Sequence, residues 1–331
     1  MSGQGTVDDP VLAVRDLQTV VTAGKRQVPV VRGVSFDILP GQAVALVGES
    51  GSGKSMTALS IMGLLPSAAR VSGGSVRLAG RELEALDEKD RRRVRGSEIA
   101  MIYQDPMTSL NPLMRVGPQV IEGLQAHGVT RRDAVARAVR ALGEVGLPRP
   151  ERIARRYPHE LSGGQRQRVM IAMAVALRPK VLIADEPTTA LDVTIQQQVL
   201  SLVDELRRHS GMALLWITHD LGVVARVAEQ ILVMYAGQVV ESGKSRDLFR
   251  RPQHPYTAGL LGSIPPMLGD ERSALRQIAG TPPDIASLPP GCPFHPRCPQ
   301  RIERCPGEEP VLEPRGADLA ACWVPRERWV S

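Results

Sequence analysis

The stretch Gly48-Glu49-Ser50-Gly51-Ser52-Gly53-Lys54-Ser55 fits the pattern G-x-x-x-x-G-K-[ST]. Its glycines let the backbone curl so that several N–H groups point inward at phosphate. A helix opening at the end of the loop adds positive potential there. Lys54 has the reach to meet β- and γ-phosphates, and Ser55 has a hydroxyl for Mg²⁺. A second candidate is Val181-Leu182-Ile183-Ala184-Asp185-Glu186, an apolar run ending in two acids. The C-terminal edge of a parallel sheet is where such folds bind ligands. There Asp185 can hold Mg²⁺ through water, and Glu186 is placed to polarise an attacking water. A third is Leu161-Ser162-Gly163-Gly164-Gln165, which reads as a helix start with Ser162 as cap and freed N–H groups facing an anion. A Gly-rich turn, or acids capping a turn, would explain any one of these alone. Together they point to chemistry on a nucleotide phosphate.

These groups need rigid elements to hold them. Ala43 to Gly48 is a continuous apolar run, as a buried parallel strand should be. A helix follows the glycine loop and should run through Leu65 to Pro66. Residues 11–22 and 30–38 read as strands, as do the short runs Val76–Leu78 and Glu98–Tyr103. Residues 114–147 carry helical periodicity, and a helix from Gly163 to about Leu177 precedes the strand Val181–Ala184. Residues 193–209 are helical, 213–218 form another buried strand, and 230–242 form a hairpin about Ala236-Gly237. Strands separated by helices specify a parallel α/β sheet. Beyond about Arg251-Pro252 prolines crowd in and apolar periodicity fades, which places a domain boundary there.

The 331 residues are enough for roughly two domains. No apolar run approaches the ~18 residues of a membrane span. Met1–Pro10 has neither a basic nor an apolar segment of a secretory signal, so a soluble, cytoplasmic chain is expected. The net charge of +6 is mild and dispersed, and aromatics are 3%. Nucleic-acid binders gather basic groups on one face, often with aromatics, so that partner class is not expected.

With the paired acids and the phosphate loop beside it, Leu161–Gln165 matches the signature pentapeptide of ABC transporters. From about residue 11 onward the chain resembles their nucleotide-binding subunit. The resemblance implies a RecA-like parallel sheet core with an antiparallel β subdomain and a helical subdomain at about 105–178. The ATPase domain would occupy 1–250, and a Cys-rich C-terminal extension 251–331. It gives matching residues roles. Gln104 is the Q-loop glutamine, on Mg²⁺ and the attacking water, and Asp192 belongs to the loop that crosses a cassette dimer. His219 is the switch histidine near the γ-phosphate; by residue type alone, a histidine at a strand end is more often structural. Glu186, His219 and Gln104 form the catalytic set. Gly48, Ser50, Gly51, Gly53, Lys54, Ser55 and Met56 contact nucleotide, and Ser55, Gln104 and Asp185 hold Mg²⁺. Ser162, Gly163, Gly164 and Gln165, with Asp192, would meet ATP held by the facing cassette. One position departs from the family. An aromatic that stacks on adenine is expected near residue 21, where Val21 offers apolar contact without π-stacking.

Gln104-Asp105-Pro106-Met107-Thr108-Ser109-Leu110-Asn111-Pro112 is similar to the Q-loop extension of oligopeptide/dipeptide permease ATPases. His254-Pro255-Tyr256-Thr257, with Leu260-Leu261 and Ile264-Pro265, is similar to the start of their C-terminal extension. Peptide import is therefore expected, with nickel or glutathione as alternative solutes of the same branch. Its partners would be a second, different ATPase subunit, two transmembrane permease subunits and an extracytoplasmic binding protein, with this chain on the cytoplasmic face of the membrane. A soluble ABC protein of translation or DNA repair is the competing reading, but those usually fuse two cassettes or insert long coiled coils, and this chain does neither. A module that binds ATP without turnover would not need Glu186 and His219.

Cys292, Cys298, Cys305 and Cys322 are the only cysteines, with gaps of 5, 6 and 16 residues. Three precede proline, which forces loops, and looped thiolates can converge on one centre. Four thiolates suit Zn²⁺ or a 4Fe–4S cluster. No tight C-x₂₋₄-C knuckle of a zinc site exists here, and the longer gaps favour the larger cluster. The resembling permease ATPases carry a similar pattern thought to hold one. Zinc and free or redox-active thiols remain the alternatives. A metal centre would supply stability to a tail that has few apolar residues of its own.

Overall fold

The computed structural model describes residues 9–104, 109–188, 192–263 and 278–329. Its strands and helices, in chain order, are β1 (Leu12–Ala23), β2 (Arg26–Ile38), β3 (Ala43–Val47), α1 (Lys54–Met62), β4 (Ala69–Leu78), β5 (Arg81–Glu82), α2 (Glu88–Val94) and β6 (Ile99–Ile102). There follow α3 (Val116–Ala126), α4 (Arg131–Glu144), α5 (Pro150–Ile153), α6 (Gly163–Val175), β7 (Val181–Asp185), α7 (Val193–Ser210) and β8 (Ala213–Thr218). The chain closes with α8 (Leu221–Val224), β9 (Gln230–Tyr235), β10 (Gln238–Lys244), α9 (Ser245–Arg250), α10 (Pro255–Gly262), β11 (Glu313–Arg315) and β12 (Asp318–Ala320). Among the described residues no helix is long and apolar enough to cross a membrane.

The chain divides into two compact units that do not follow chain order. One comprises Met1–Leu12, Ile38–Gln42 and Leu78–Leu215; the other comprises Ala13–Asp37, Ala43–Arg77 and Trp216–Ser331. The cuts between them fall within β1, β2, β4 and β8 and just before β3.

In the first unit β6 and β7 run parallel, in register from Ile99 opposite Val181 to Ile102 opposite Ala184. All five β7 residues are buried. Continuous apolar strands of this kind are what a sheet covered on both faces requires. Helix α4 buries Ala134, Ala138, Ala141 and Leu142, a single stripe at helical spacing. Thr130 caps it by accepting from the Asp133 N–H.

In the second unit β3 runs parallel to β9, β10 returns antiparallel, and β12 and then β11 continue the sheet outward. A bulge lies between Val239 and Glu241. A separate sheet has β1 between β2 and β4. Among the described residues beyond 251, the buried aromatic and cysteine side chains pack into this unit's core. Tyr256, Cys292, Phe294 and Cys305 are buried in one cluster with Val47, Ile231, Val233 and Tyr235. The tail's few large side chains are thus supported by this unit's cluster rather than by a core of their own.

Three local expectations also change. Helix α1 ends at Met62, not Leu65, because Gly63 takes a left-handed cap (φ 62°) that closes the helix early. Strand β4 begins at Ala69, well before Val76, across a Gly-Gly pair that hides its alternation. Helix α2 was not anticipated. It buries only Val94 and is held by an Asp87 cap with arginines in its last turn.

Candidate nucleotide site

In the second unit β3 delivers the chain into the glycine loop. A side chain at Gly48 would put its Cβ 2.2 Å from the Met234 carbonyl oxygen, so only glycine fits. Gly53, with φ 106°, opens α1 in a conformation L-residues avoid, and its Cβ would meet the Val30 carbonyl oxygen at 2.6 Å. The helix starts with no side-chain cap, which suits an N-terminus built to receive phosphate. Lys54 is only 4% exposed. Its Nζ donates to the carbonyl oxygens of Gly48 (2.8 Å) and Glu49 (3.0 Å), folding the ammonium across the loop. The buried Ser52 Oγ has no partner. A glycine-tight cradle with a carbonyl-held ammonium and an orphaned hydroxyl fits a phosphate chain well. Ser55 and Met56 are half-buried on α1, while Ser50 and Gly51 are exposed at the loop's crest. Val21 is half-buried on β1. His219 is exposed just past the end of β8, in the same unit.

In the first unit Asp185 is buried at the last position of β7. Glu186 follows with φ 44°, a left-handed conformation that costs a glutamate energy and marks functional turns. Gln104, just past β6, donates from Nε2 to Glu186 Oε2 at 3.3 Å. The parallel pairing of β6 and β7 therefore brings two of the three catalytic candidates together. Ser162 caps α6 and accepts from the Gln165 N–H, while Gln165 Oε1 accepts from the Ser162 N–H (3.2 Å), a complete capping box. A Cβ at Gly164 would stand 3.2 Å from Ile195 Cγ2, and Gly163 is exposed beside it. Asp192 caps α7, accepting from the Ile195 N–H at 2.9 Å. Asp105–Thr108, Ala190, Leu191, Ile264 and Pro265 lie outside the described residues.

The four cysteines are free thiols. Burial pushes Cys292 up to about 11 and Cys298 up to about 12, and Cys322 also rises; the neighbouring thiols add to each shift. The thiols thus share one neighbourhood, and the donor set is chemically suited to a soft metal. Yet among the described residues no three His, Cys, Asp or Glu side chains form a group that could hold a metal ion. Cys292 and Cys305 are instead buried as small apolar groups in the aromatic cluster. The 4Fe–4S expectation draws no support from this geometry.

Residues 31–189 match the ABC transporter family model, and residues 240–305 match the C-terminal region of oligopeptide/dipeptide transporters. The chain is 48% identical to an oligopeptide transport ATP-binding protein of Salmonella typhimurium, over 96% of this chain and 94% of that one. It is 48% identical to a dipeptide transport ATP-binding protein of Bacillus subtilis, over 97% and 96%. The chain belongs to the ATP-binding subunits of ABC transporters, in their oligopeptide/dipeptide branch. Among solved structures, a dimeric ATP-binding cassette in a post-hydrolysis state with ADP and Pi aligns at a TM-score of 0.63 and 28% identity, covering 71% of this chain and 99% of that one. A cassette from Clostridium perfringens, part of another ABC transporter complex, aligns at 0.63 and 26%, over 73% and 92%. Two residues of this cassette stand beside the motifs yet were missed from sequence. Tyr256 and Arg297 both reach Glu49 of the phosphate loop, 207 and 248 positions away. No motif signals such contacts; Tyr256 stood out only within the permease-like His-Pro-Tyr-Thr segment.

Proposed function

We propose that this cassette hydrolyses ATP to power import of di- or oligopeptides. The observation that carries the reading is that one chain holds both the cassette and the oligopeptide/dipeptide C-terminal region, at 48% identity along nearly its full length. Lys54 supplies the counter-charge for the β- and γ-phosphates, and Glu186 polarises the attacking water while Gln104 orients it. His219 serves as the switch beside the γ-phosphate. Ser55, Gln104 and Asp185 would hold Mg²⁺, which when bound supplies positive charge against the phosphates. Ser162, Gly164 and Asp192 serve the nucleotide of a facing, different ATPase subunit. Two transmembrane permease subunits and an extracytoplasmic binding protein complete the assembly, on the cytoplasmic face of the membrane. In this reading residues 1–250 are the ATPase domain, with its helical subdomain at about 105–178, and 251–331 are the extension.

The test is peptide-stimulated ATPase activity of the reconstituted complex. Glu186→Gln, with the equivalent change in the partner cassette, should keep ATP binding and lower turnover by at least ~10²-fold, the lower range for a positioned general base. Near-normal hydrolysis would remove Glu186 from its role. Stimulation by nickel or glutathione, and not by peptides, would move the solute assignment.

The 4Fe–4S reading of Cys292, Cys298, Cys305 and Cys322 rests on their donor type, their spacing and the resemblance, and requires the thiols to draw together. Protein purified without oxygen should then be brown, with absorbance near about 400 nm that Cys298→Ser bleaches. One equivalent of zinc would replace the cluster, and no metal would leave the cysteines as core packing.

A further inference from the structure

Glu49 is the second residue of the phosphate loop, and nothing in phosphate binding calls for an acid there. A carboxylate in that place repels an incoming phosphate chain unless its charge is cancelled. Here it is cancelled from the tail. Arg297 donates to Glu49 through both arms of its guanidinium, Nη1 to Oε2 at 2.7 Å and Nη2 to Oε1 at 3.0 Å. The Arg297 side chain is 6% exposed and that of Glu49 26%. Such forked, partly desolvated pairs are among the stronger and more directional polar contacts in proteins.

The guanidinium is itself fixed. Its Nε donates to the Ala279 carbonyl oxygen at 3.0 Å, and Nη1 lies 3.4 Å from Tyr235 Oη. Its central carbon stands 5.9 Å from the ring centres of both Tyr235 and Phe294. A second tail residue acts on the same loop position: the Glu49 N–H donates to Tyr256 Oη at 2.8 Å. The carbonyl of that same peptide group, Gly48 C=O, receives Lys54. The first peptide plane of the loop is therefore held at both ends, one of them by the tail. When phosphate draws Lys54 away, the tail's hold remains.

We propose that Arg297, assisted by Tyr256, is a positioning residue for nucleotide binding, cancelling the Glu49 charge and presetting the loop. This rests on the phosphate-loop reading of residues 48–55. A loop already in its bound conformation spends less of the binding free energy on ordering.

The experiment is equilibrium titration of ATP and ADP with the full-length chain, beside steady-state kinetics of the assembled complex. Lys54→Ala is the control for the loop itself; undiminished affinity there would overturn the underlying reading, not this proposal alone. Arg297→Gln should raise both dissociation constants about 10-fold, as loss of a charge-assisted pair predicts. It should raise KM alike and leave kcat at saturating ATP within about twofold. Arg297→Lys, which keeps charge without the fork, should recover part of the loss. The Glu49→Gln/Arg297→Gln double variant should bind within about threefold of the parent, since the stranded carboxylate is gone. A purely structural arginine would leave the double variant as weak as the single. Tyr256→Phe keeps the ring and removes only the acceptor, and should weaken binding about 2–3-fold. Unchanged affinity in Arg297→Gln or Tyr256→Phe, or no recovery in the double variant, would overturn the proposal.

Discussion

Glu241 is fully buried, and its carboxyl accepts from the backbone N–H groups of Gln253 (2.6 Å) and His254 (2.8 Å). Burial raises it from 4.5 to about 7 against those hydrogen bonds, and nearby Asp318 adds to the rise. His254, equally buried, is pushed down from 6.5 to about 3 by burial, with its Nδ1 accepting from the Tyr256 N–H. The two act in opposite directions. Between about pH 4.5 and 7 the folded chain keeps a proton on Glu241 that the unfolded chain loses, so stability falls as pH rises. Between about 3 and 6.5 the unfolded chain binds a proton on His254 that the folded chain refuses, so stability rises with pH. Over the shared window, about 4.5 to 6.5, the slopes offset each other. Glu241→Gln should therefore give a urea midpoint that climbs through that window, where the parent's is nearly flat. Identical profiles would mean that Glu241 is ionised in the fold. At this scale the glycine loop after β3 and the Asp185-Glu186 pair at the end of β7 were legible as local structure, because glycine runs and strand ends mark themselves in residue type and spacing. The roles proposed for them and for Gln104 rest on the resemblance. Glu49 sat in plain view as a variable loop position; its role depends on a partner that spacing cannot reveal.

Elements were legible where both faces are apolar: β3, β7 and β8 stand within a residue or two of expectation. The misses share a cause. Helix α2 and the first half of β4 bury almost nothing, so no hydrophobic period marks them. The tail was misjudged because its apolar residues are few and scattered, and periodicity counts density, not destination. Phe294 shows the difference. It is 2% exposed, with ring centres 5.3 Å from Tyr235 and 5.4 Å from Tyr256. Phe294→Ala should cost about 3–5 kcal/mol of stability, the usual range for a buried aromatic. The denaturant midpoint of the full chain measures it. A loss under about 1 kcal/mol would mean that the tail contributes little to this core.

At the scale of the molecule, chain order and spatial order part company: each compact unit is assembled from separated segments. A boundary near residue 251 follows composition, whereas the tail's contacts run back to β9, β10 and the phosphate loop. The pair between Glu49 and Arg297 spans 248 positions. A ribosome adding about 5–20 residues per second needs roughly 12–50 s to cover that span. Throughout that interval the second residue of the glycine loop, Glu49, lacks its Arg297 partner. A chain released early would carry every nucleotide-binding residue of the motif and lack the hold on it. Under the proposed positioning role, the loop's preset shape would depend on a residue made long after the motif itself.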